Sequence, residues 1–239
     1  MRVNDAGDAN ALTLDQVVFN WAGRGAFGLA VPDFRIARGE RVLLLGESGS
    51  GKSTLLSLIC GINAPQRGSI RVDGTEINVM RPAARDRFRA EKIGIVFQQF
   101  NLLPYASPMD NILLPLRFAP ARRARVGDAR ASALVLTDAL GLTQDVMASS
   151  TAARLSVGQQ QRLAVARALI GAPSLIVADE PTSALDAGSQ ASFLDLLFAQ
   201  CTAAGSTLLM VSHDDRLSPR FDRSVRMEDI ATLTREVAA

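Results

Sequence analysis

Two cysteines, one tryptophan and one histidine are all that 239 residues offer of those types, and the acidic and basic side chains nearly cancel. So few cysteines exclude a disulfide framework. Cys60 and Cys201 each fall in a helical pattern and read as reduced thiols, packed as small apolar residues. A net charge of +2, from 26 basic and 24 acidic residues, is too balanced to argue for a nucleic-acid surface, and no nucleic-acid partner is expected. The apolar runs fall short of the roughly 18 to 20 residues that a membrane-spanning helix requires. Met1 to Asn10 is polar and small, unlike the apolar stretch of a signal sequence, so the chain is expected to be soluble unless a partner anchors it. Its length suffices for a full core without staples.

Against these absences stands Gly46-Glu47-Ser48-Gly49-Ser50-Gly51-Lys52-Ser53, directly after the apolar run Val42 to Leu45. The pattern G-x-x-x-x-G-K-[ST] works when a buried strand precedes it and a helix follows, because backbone N–H groups then converge on phosphate at the helix start. Arg41 to Leu45 predicts that strand and Ser53 to Ile59 that helix, ended by Gly61. Gly49 and Gly51 permit the tight loop, Lys52 reaches the β and γ phosphates, and the Ser53 hydroxyl completes a Mg²⁺ shell. A nucleoside triphosphate is the expected ligand.

Elsewhere, Leu12 to Trp21 and Phe34 to Ile36 read as strands separated by Ala22 to Gly28, predicting a small antiparallel region before the loop. Ser69 to Val72, a turn at Asp73-Gly74 and a buried strand Ile93 to Phe97 follow. From about Gln99 to Gln160 no long β-type run occurs. Met109 to Leu116 and Asp128 to Leu140 read as helices, the latter with Ala131, Leu134, Val135 and Asp138 at helical spacing, and Arg122 to Arg125 reads as a solvated link between them. The remainder alternates: helix Gly158 to Ile170, strand Leu175 to Ala178, helix Ala187 to Gln200, strand Thr207 to Val211, and a short strand near Ser224 to Met227. The expected fold is α/β: a phosphate-loop NTPase core of mostly parallel sheet flanked by helices (12–98 and 161–228), with an N-terminal antiparallel β region, an inserted helical subdomain (99–160), and loose ends at 1–11 and 229–239.

The strand Leu175 to Ala178 leads into Asp179-Glu180, two carboxylates at the edge where open α/β sheets bind ligands. Hydrolysis needs one carboxylate to hold Mg²⁺ and another to orient or deprotonate water opposite the γ-phosphate. Asp179 suits the first role and Glu180 the second.

Four further segments carry a resemblance: Phe97-Gln98-Gln99, Leu155-Ser156-Val157-Gly158-Gln159-Gln160-Gln161-Arg162, Ser183-Ala184-Leu185-Asp186 and Ser212-His213-Asp214. With the two sites above they make the chain, over roughly residues 12 to 228, similar to the ATP-binding subunits of ABC transporters. The resemblance implies ATP and Mg²⁺ as cofactors, with Gln98 as a switch that binds metal or the attacking water. It implies that His213 contacts the γ-phosphate, positioning Glu180 and water. Ser156, Gly158 and Gln159 would meet the γ-phosphate held by a second copy in a head-to-tail homodimer, with Asp186 at the dimer contact or as a helix N-cap. Thr54 joins the phosphate set. Trp21 matches the position of an adenine-stacking ring, with Phe19 as fallback and core packing as the plain alternative. Val157 departs from the glycine commonest at its position.

The resemblance further implies a membrane-spanning permease as partner, docked near Phe100 to Tyr105 and Met109, and a peripheral place on the inner face of the cell membrane. Phe100 to Pro104 followed by Asn111 to Pro115 looks like the group serving lipoprotein release and macrolide export. The alternative is an ATPase of the cell-division type, which regulates a permease-like protein without transport. A generic kinase or GTPase would lack the Ser156 segment.

Overall fold

The computed structural model describes residues 9–21, 27–183 and 185–235, except the side chains of Ala187 and Arg235. The expected loop at 22–26, Ala184, and the extreme ends lie outside that set.

In chain order the elements are β1 (Asn10–Asn20), β2 (Phe27–Ala37), β3 (Arg41–Leu45), α1 (Lys52–Ile59), β4 (Arg67–Val72), β5 (Thr75–Glu76), α2 (Pro82–Lys92) and β6 (Ile93–Val96). Then come α3 (Pro108–Leu113), α4 (Pro120–Val126), α5 (Ala129–Ala139), α6 (Gln144–Met147), α7 (Val157–Leu169), β7 (Leu175–Asp179), α8 (Ala187–Ala204), β8 (Thr207–Ser212), β9 (Arg223–Arg226), α9 (Met227–Ile230) and β10 (Thr232–Arg235). Contacts divide the chain into two compact units, Met1–Asp86 with Val211–Ala239, and Arg87–Met210.

In the first unit an antiparallel sheet runs β10-β2-β1-β4-β5. The buried positions of β1 switch phase, from Leu12 and Leu14 to Val17 and Phe19. Gln16, with φ 50°, supplies the extra residue, and the β1–β4 register shifts between Asp15 and Val18. Phe34 to Ile36 is the end of an eleven-residue strand paired along β1. The sequence places Thr232 to Arg235 in a loose end; they pair instead with β2. β3 is parallel to β9. Val42, Leu43 and Leu44 are fully buried, each contributing about 2 kcal/mol through the apolar area it removes from water.

In the second unit β6 pairs in parallel with β7, and the order continues to β8. Between β6 and α7 every regular element is helical among the described residues. One expectation fails here, while the helix expected over Asp128 to Leu140 is present as α5. Arg122 to Arg125 is no solvated link but part of α4, and Arg122 is 1% exposed. The inward face of α5 carries Ala129, Ala133 and Thr137, while Leu134 and Val135 are exposed. This face of short side chains packs against α3 and α7. α7 lies hard against β6, where a Cβ on Gly94 would come within 2.2 Å of the Ala168 carbonyl oxygen.

The α/β organisation expected from the sequence, with its antiparallel and parallel strands and flanking helices, is present.

Candidate functional site

The loop Gly46 to Gly51 leaves the buried end of β3 and feeds α1. Gly51 is the N-cap at φ +89°, a left-handed conformation that glycine adopts without penalty. A Cβ there would also press on Leu233, Phe27 and Leu29, which pack beneath the loop. No side chain caps α1 among the described residues, which leaves its first N–H groups to water or a ligand. Ser50 Oγ is buried without a hydrogen-bond partner among the described residues.

Lys52 is buried, its ammonium donating to the carbonyl oxygens of Gly46 and, at 2.7 Å, Glu47. Ser53 is exposed. Thr54 Oγ1 accepts from Trp21 Nε1 at 3.3 Å. That bond ties the tryptophan to α1. Trp21 is 43% exposed and stands edge-on to Phe19, ring centroids 5.1 Å apart. Phe19 is in the core and has no face to offer a base, so the fallback fails and Trp21 is the ring left available.

The Gly46 N–H donates to the Ser212 carbonyl, 3.3 Å away, which brings the next residue, His213, to the loop. His213 is exposed and lines a cavity of about 350 Å³ with Leu45, Gly46, Glu47, Ser50 and Arg226.

In the second unit Asp179 closes β7 and Glu180 follows with φ 43°, a left-handed conformation costly for a side chain of its kind. The turn is braced by Gln161, a buried residue of α7 whose amide donates to the Pro181 carbonyl at 2.6 Å. Sequence reasoning assigned nothing to Gln161; an amide among apolar helix positions was the one signal. Gln98, exposed, lies just beyond β6.

Ser156 caps α7. Its Oγ accepts from the Gln159 N–H at 3.3 Å, and the Gln159 side chain accepts from the Ser156 N–H at 2.9 Å, a reciprocal capping box. Val157 is 54% exposed, and a Cβ built on Gly158 would meet nothing within 4 Å. At this helix tip Ser156 and Val157 are exposed and Gly158 is half-buried.

Asp186 caps α8 by accepting from the Gly188 and Ser189 N–H groups, both at 3.0 Å. The Ser189 bonds, with the Gly188 N–H assisting, hold its carboxyl below the usual range.

No cluster of three or more His, Cys, Asp or Glu side chains suits a metal among the described residues. The expected donors, a Ser53 hydroxyl, a Gln98 amide oxygen and an Asp179 carboxylate, are few and hard. Each is an oxygen donor of the kind Mg²⁺ takes, beside the several waters it keeps and oxygens from phosphate.

Residues 29–183 match the ABC transporter family. The chain is 39% identical to the lipoprotein-releasing system ATP-binding protein LolD of Syntrophotalea carbinolica, covering 82% of this chain and 85% of that one. It is 40% identical to an uncharacterized ABC transporter ATP-binding protein, YbbA, of Escherichia coli, over 80% and 82% of the two chains. It is also 40% identical to the macrolide export ATP-binding/permease protein MacB of Rhodopirellula baltica, over 81% of this chain and 28% of that protein. Among solved structures, a bacterial ABC transporter cassette in dimeric form superposes with TM-score 0.78 at 31% identity, over 95% of this chain and 100% of that one. An ATP-binding cassette solved as a dimer in a post-hydrolysis state bound to ADP and Pi gives 0.75 at 32%, over 90% and 93%.

Proposed function

This chain belongs to the ABC transporter family as an ATP-binding, ATP-hydrolysing subunit, and on that premise we propose that two copies close head to tail on ATP to drive a separate membrane permease. The observation that carries the proposal is the bare tip of α7: a rigidly capped helix start, with Gly158 in open space and Val157 in solvent, available to the γ-phosphate bound by a second copy.

In each half, the α1 N-terminus and Lys52 hold the phosphates within the loop Gly46 to Ser53, and Trp21 stacks on the base. Glu180 orients the attacking water and accepts its proton, His213 contacts the γ-phosphate, and Gln98 senses whether that phosphate is present. Asp186, beyond capping α8, lies at the dimer contact. Ser53, Gln98 and Asp179 would hold Mg²⁺, which supplies neutralisation of the phosphate charge.

No helix among the described residues is long and apolar enough to cross a membrane. We assign the crossing to permease subunits, which dock near Phe100 to Tyr105 and Met109 and hold the chain at the inner face of the membrane. The relatives named for lipoprotein release and macrolide export support an extruder of that type.

The test is Glu180→Gln. With Mg-ATP it is expected to elute as a dimer in size-exclusion chromatography while turnover falls by about a hundredfold or more. Adding Gly158→Asp, which sets a carboxylate at the α7 tip, should return it to a monomer that still binds ATP. A Glu180→Gln protein that stays monomeric in saturating Mg-ATP would overturn the head-to-tail reading.

A further inference from the structure

Arg167 lies in the last turn of α7, where a basic side chain ordinarily reaches for solvent or for its own helix carbonyls. Here it is buried, and its guanidinium turns to another segment: Nη1 donates to the Asn101 carbonyl oxygen at 2.6 Å and Nη2 to the Phe100 carbonyl oxygen. Both acceptor residues have left-handed backbones, φ 59° for Phe100 and 47° for Asn101, a conformation that non-glycine residues rarely take. Two consecutive carbonyls are thereby aimed at one planar fork, a geometry a lysine ammonium cannot match.

The clamp is two residues beyond Gln98. The chain between them is taut, with the Phe100 N–H on the Phe97 carbonyl and the Asn101 N–H on the Gln99 carbonyl, at 2.9 and 2.6 Å. On the far side Asn111, fully buried, accepts from the Leu103 N–H and donates to the carbonyls of Leu103 and Ser107. The stretch from Phe100 to Ser107 is thus pinned at both ends, leaving Phe97, Gln98 and Gln99 as the short span between β6 and the pin. α7 meanwhile carries the Ser156 tip at its other end and braces Pro181, beside Glu180, through Gln161.

We propose that Arg167 is a positioning residue of the ATPase cycle, transmitting displacement of the Gln98 span to α7 and so to its Ser156 tip. The inference rests on the function proposed above. Burial lowers the pKa of the guanidinium, yet arginine remains the cation suited to such a place because it gives up its proton so reluctantly.

The experiment compares wild type, Arg167→Met and Arg167→Lys for steady-state ATPase activity. It also follows amide hydrogen exchange with and without Mg-ATP in the Glu180→Gln, Gly158→Asp background, which is expected to bind ATP as a monomer. Both variants are expected to keep KM within about twofold while kcat drops about tenfold, the size of effect that small misplacements of reacting groups produce. In that monomeric parent, where no partner phosphate shields the α7 tip, Mg-ATP should slow exchange in peptides spanning 98–103 and 156–161 together; with Arg167 replaced, the first should respond and the second should not. Should Arg167→Met fail to fold, Arg167→Lys, which keeps charge and most of the volume, carries the same comparison. Wild-type kcat in the folded variants, or a coupled exchange response without Arg167, overturns the inference alone. An inactive wild type would overturn the functional reading and this inference with it.

Discussion

The Lys52 ammonium lies 2.7 Å from the carbonyl oxygen of Glu47, five residues back along the same loop. The cation proposed to bind phosphate is thus held by its own loop, which keeps a buried charge satisfied until a triphosphate takes over.

Lys52→Ala removes that cation without disturbing β3 or α1. ATP affinity measured by equilibrium titration should fall by about thirty- to a hundredfold, the equivalent of about 2 to 3 kcal/mol for a charge-assisted bond. The melting temperature without nucleotide should stay near wild type. Unchanged affinity would refute the phosphate role.

Trp21 is the chain's only tryptophan, so its fluorescence reports on its own ring. ATP should quench it, and Trp21→Ala should weaken ATP binding by about three- to tenfold, as loss of one stacking face does. Trp21→Phe should recover most of the loss. Fluorescence indifferent to saturating ATP would point the base elsewhere.

Arg122 is the reverse of a surface arginine. Its guanidinium donates to the Ala168 and Ile170 carbonyls at the end of α7 and, at 3.2 Å, to the Ala90 carbonyl. Glu91 receives the Ala121 and Arg122 N–H groups at the start of α4. Burial, aided by Arg125 and opposed by Glu91, brings the Arg122 pKa down to about 10. Arg122→Met strands those carbonyls and leaves Glu91 without its cation. Unfolding free energy should drop by about 3 kcal/mol, whereas exposed Arg123→Ala should stay within about 0.5 kcal/mol. Denaturant melts of the two variants check the contrast.

Asp222 pairs with Arg41, Oδ1 at 2.6 Å from Nη2, and also accepts the Arg41 backbone N–H at 2.8 Å. The Arg41 side-chain bond, then the backbone bond, hold its carboxyl below the ordinary value. The stability it contributes is present above the unfolded pKa of roughly 4 and is lost as pH falls through the lower folded value. With the carboxylate partly in solvent the effect is small. Asp222→Asn should lower the melting temperature slightly at pH 7 and by less at about pH 3. An equal difference at both pH values would sink the pairing argument.

Part of the site was legible because its chemistry is local. The capping box of Ser156 and Gln159 spans three residues, as does Asp186 with Ser189, and the loop from Gly46 to Lys52 is one turn of chain feeding one helix. Glu180 was read from its place after an apolar strand. Its left-handed backbone and the Gln161 brace were not legible, because nothing in a string of residues gives φ or reports a bond across 20 positions.

The sequence by itself therefore determined the main α/β alternation, the loop motif, the caps and the family, since each rests on side-chain spacing within a few residues. The tertiary structure alone decided that Arg122 is buried and that Arg167 grips Phe100 and Asn101. It also decided that Trp21 rather than Phe19 stays open, that Ala133 rather than Leu134 faces inward, and that Thr232–Arg235 adds a strand. These outcomes depend on which distant segments meet. An arginine reads as surface until carbonyls 46 and 48 residues away are brought to it and repay the loss of water.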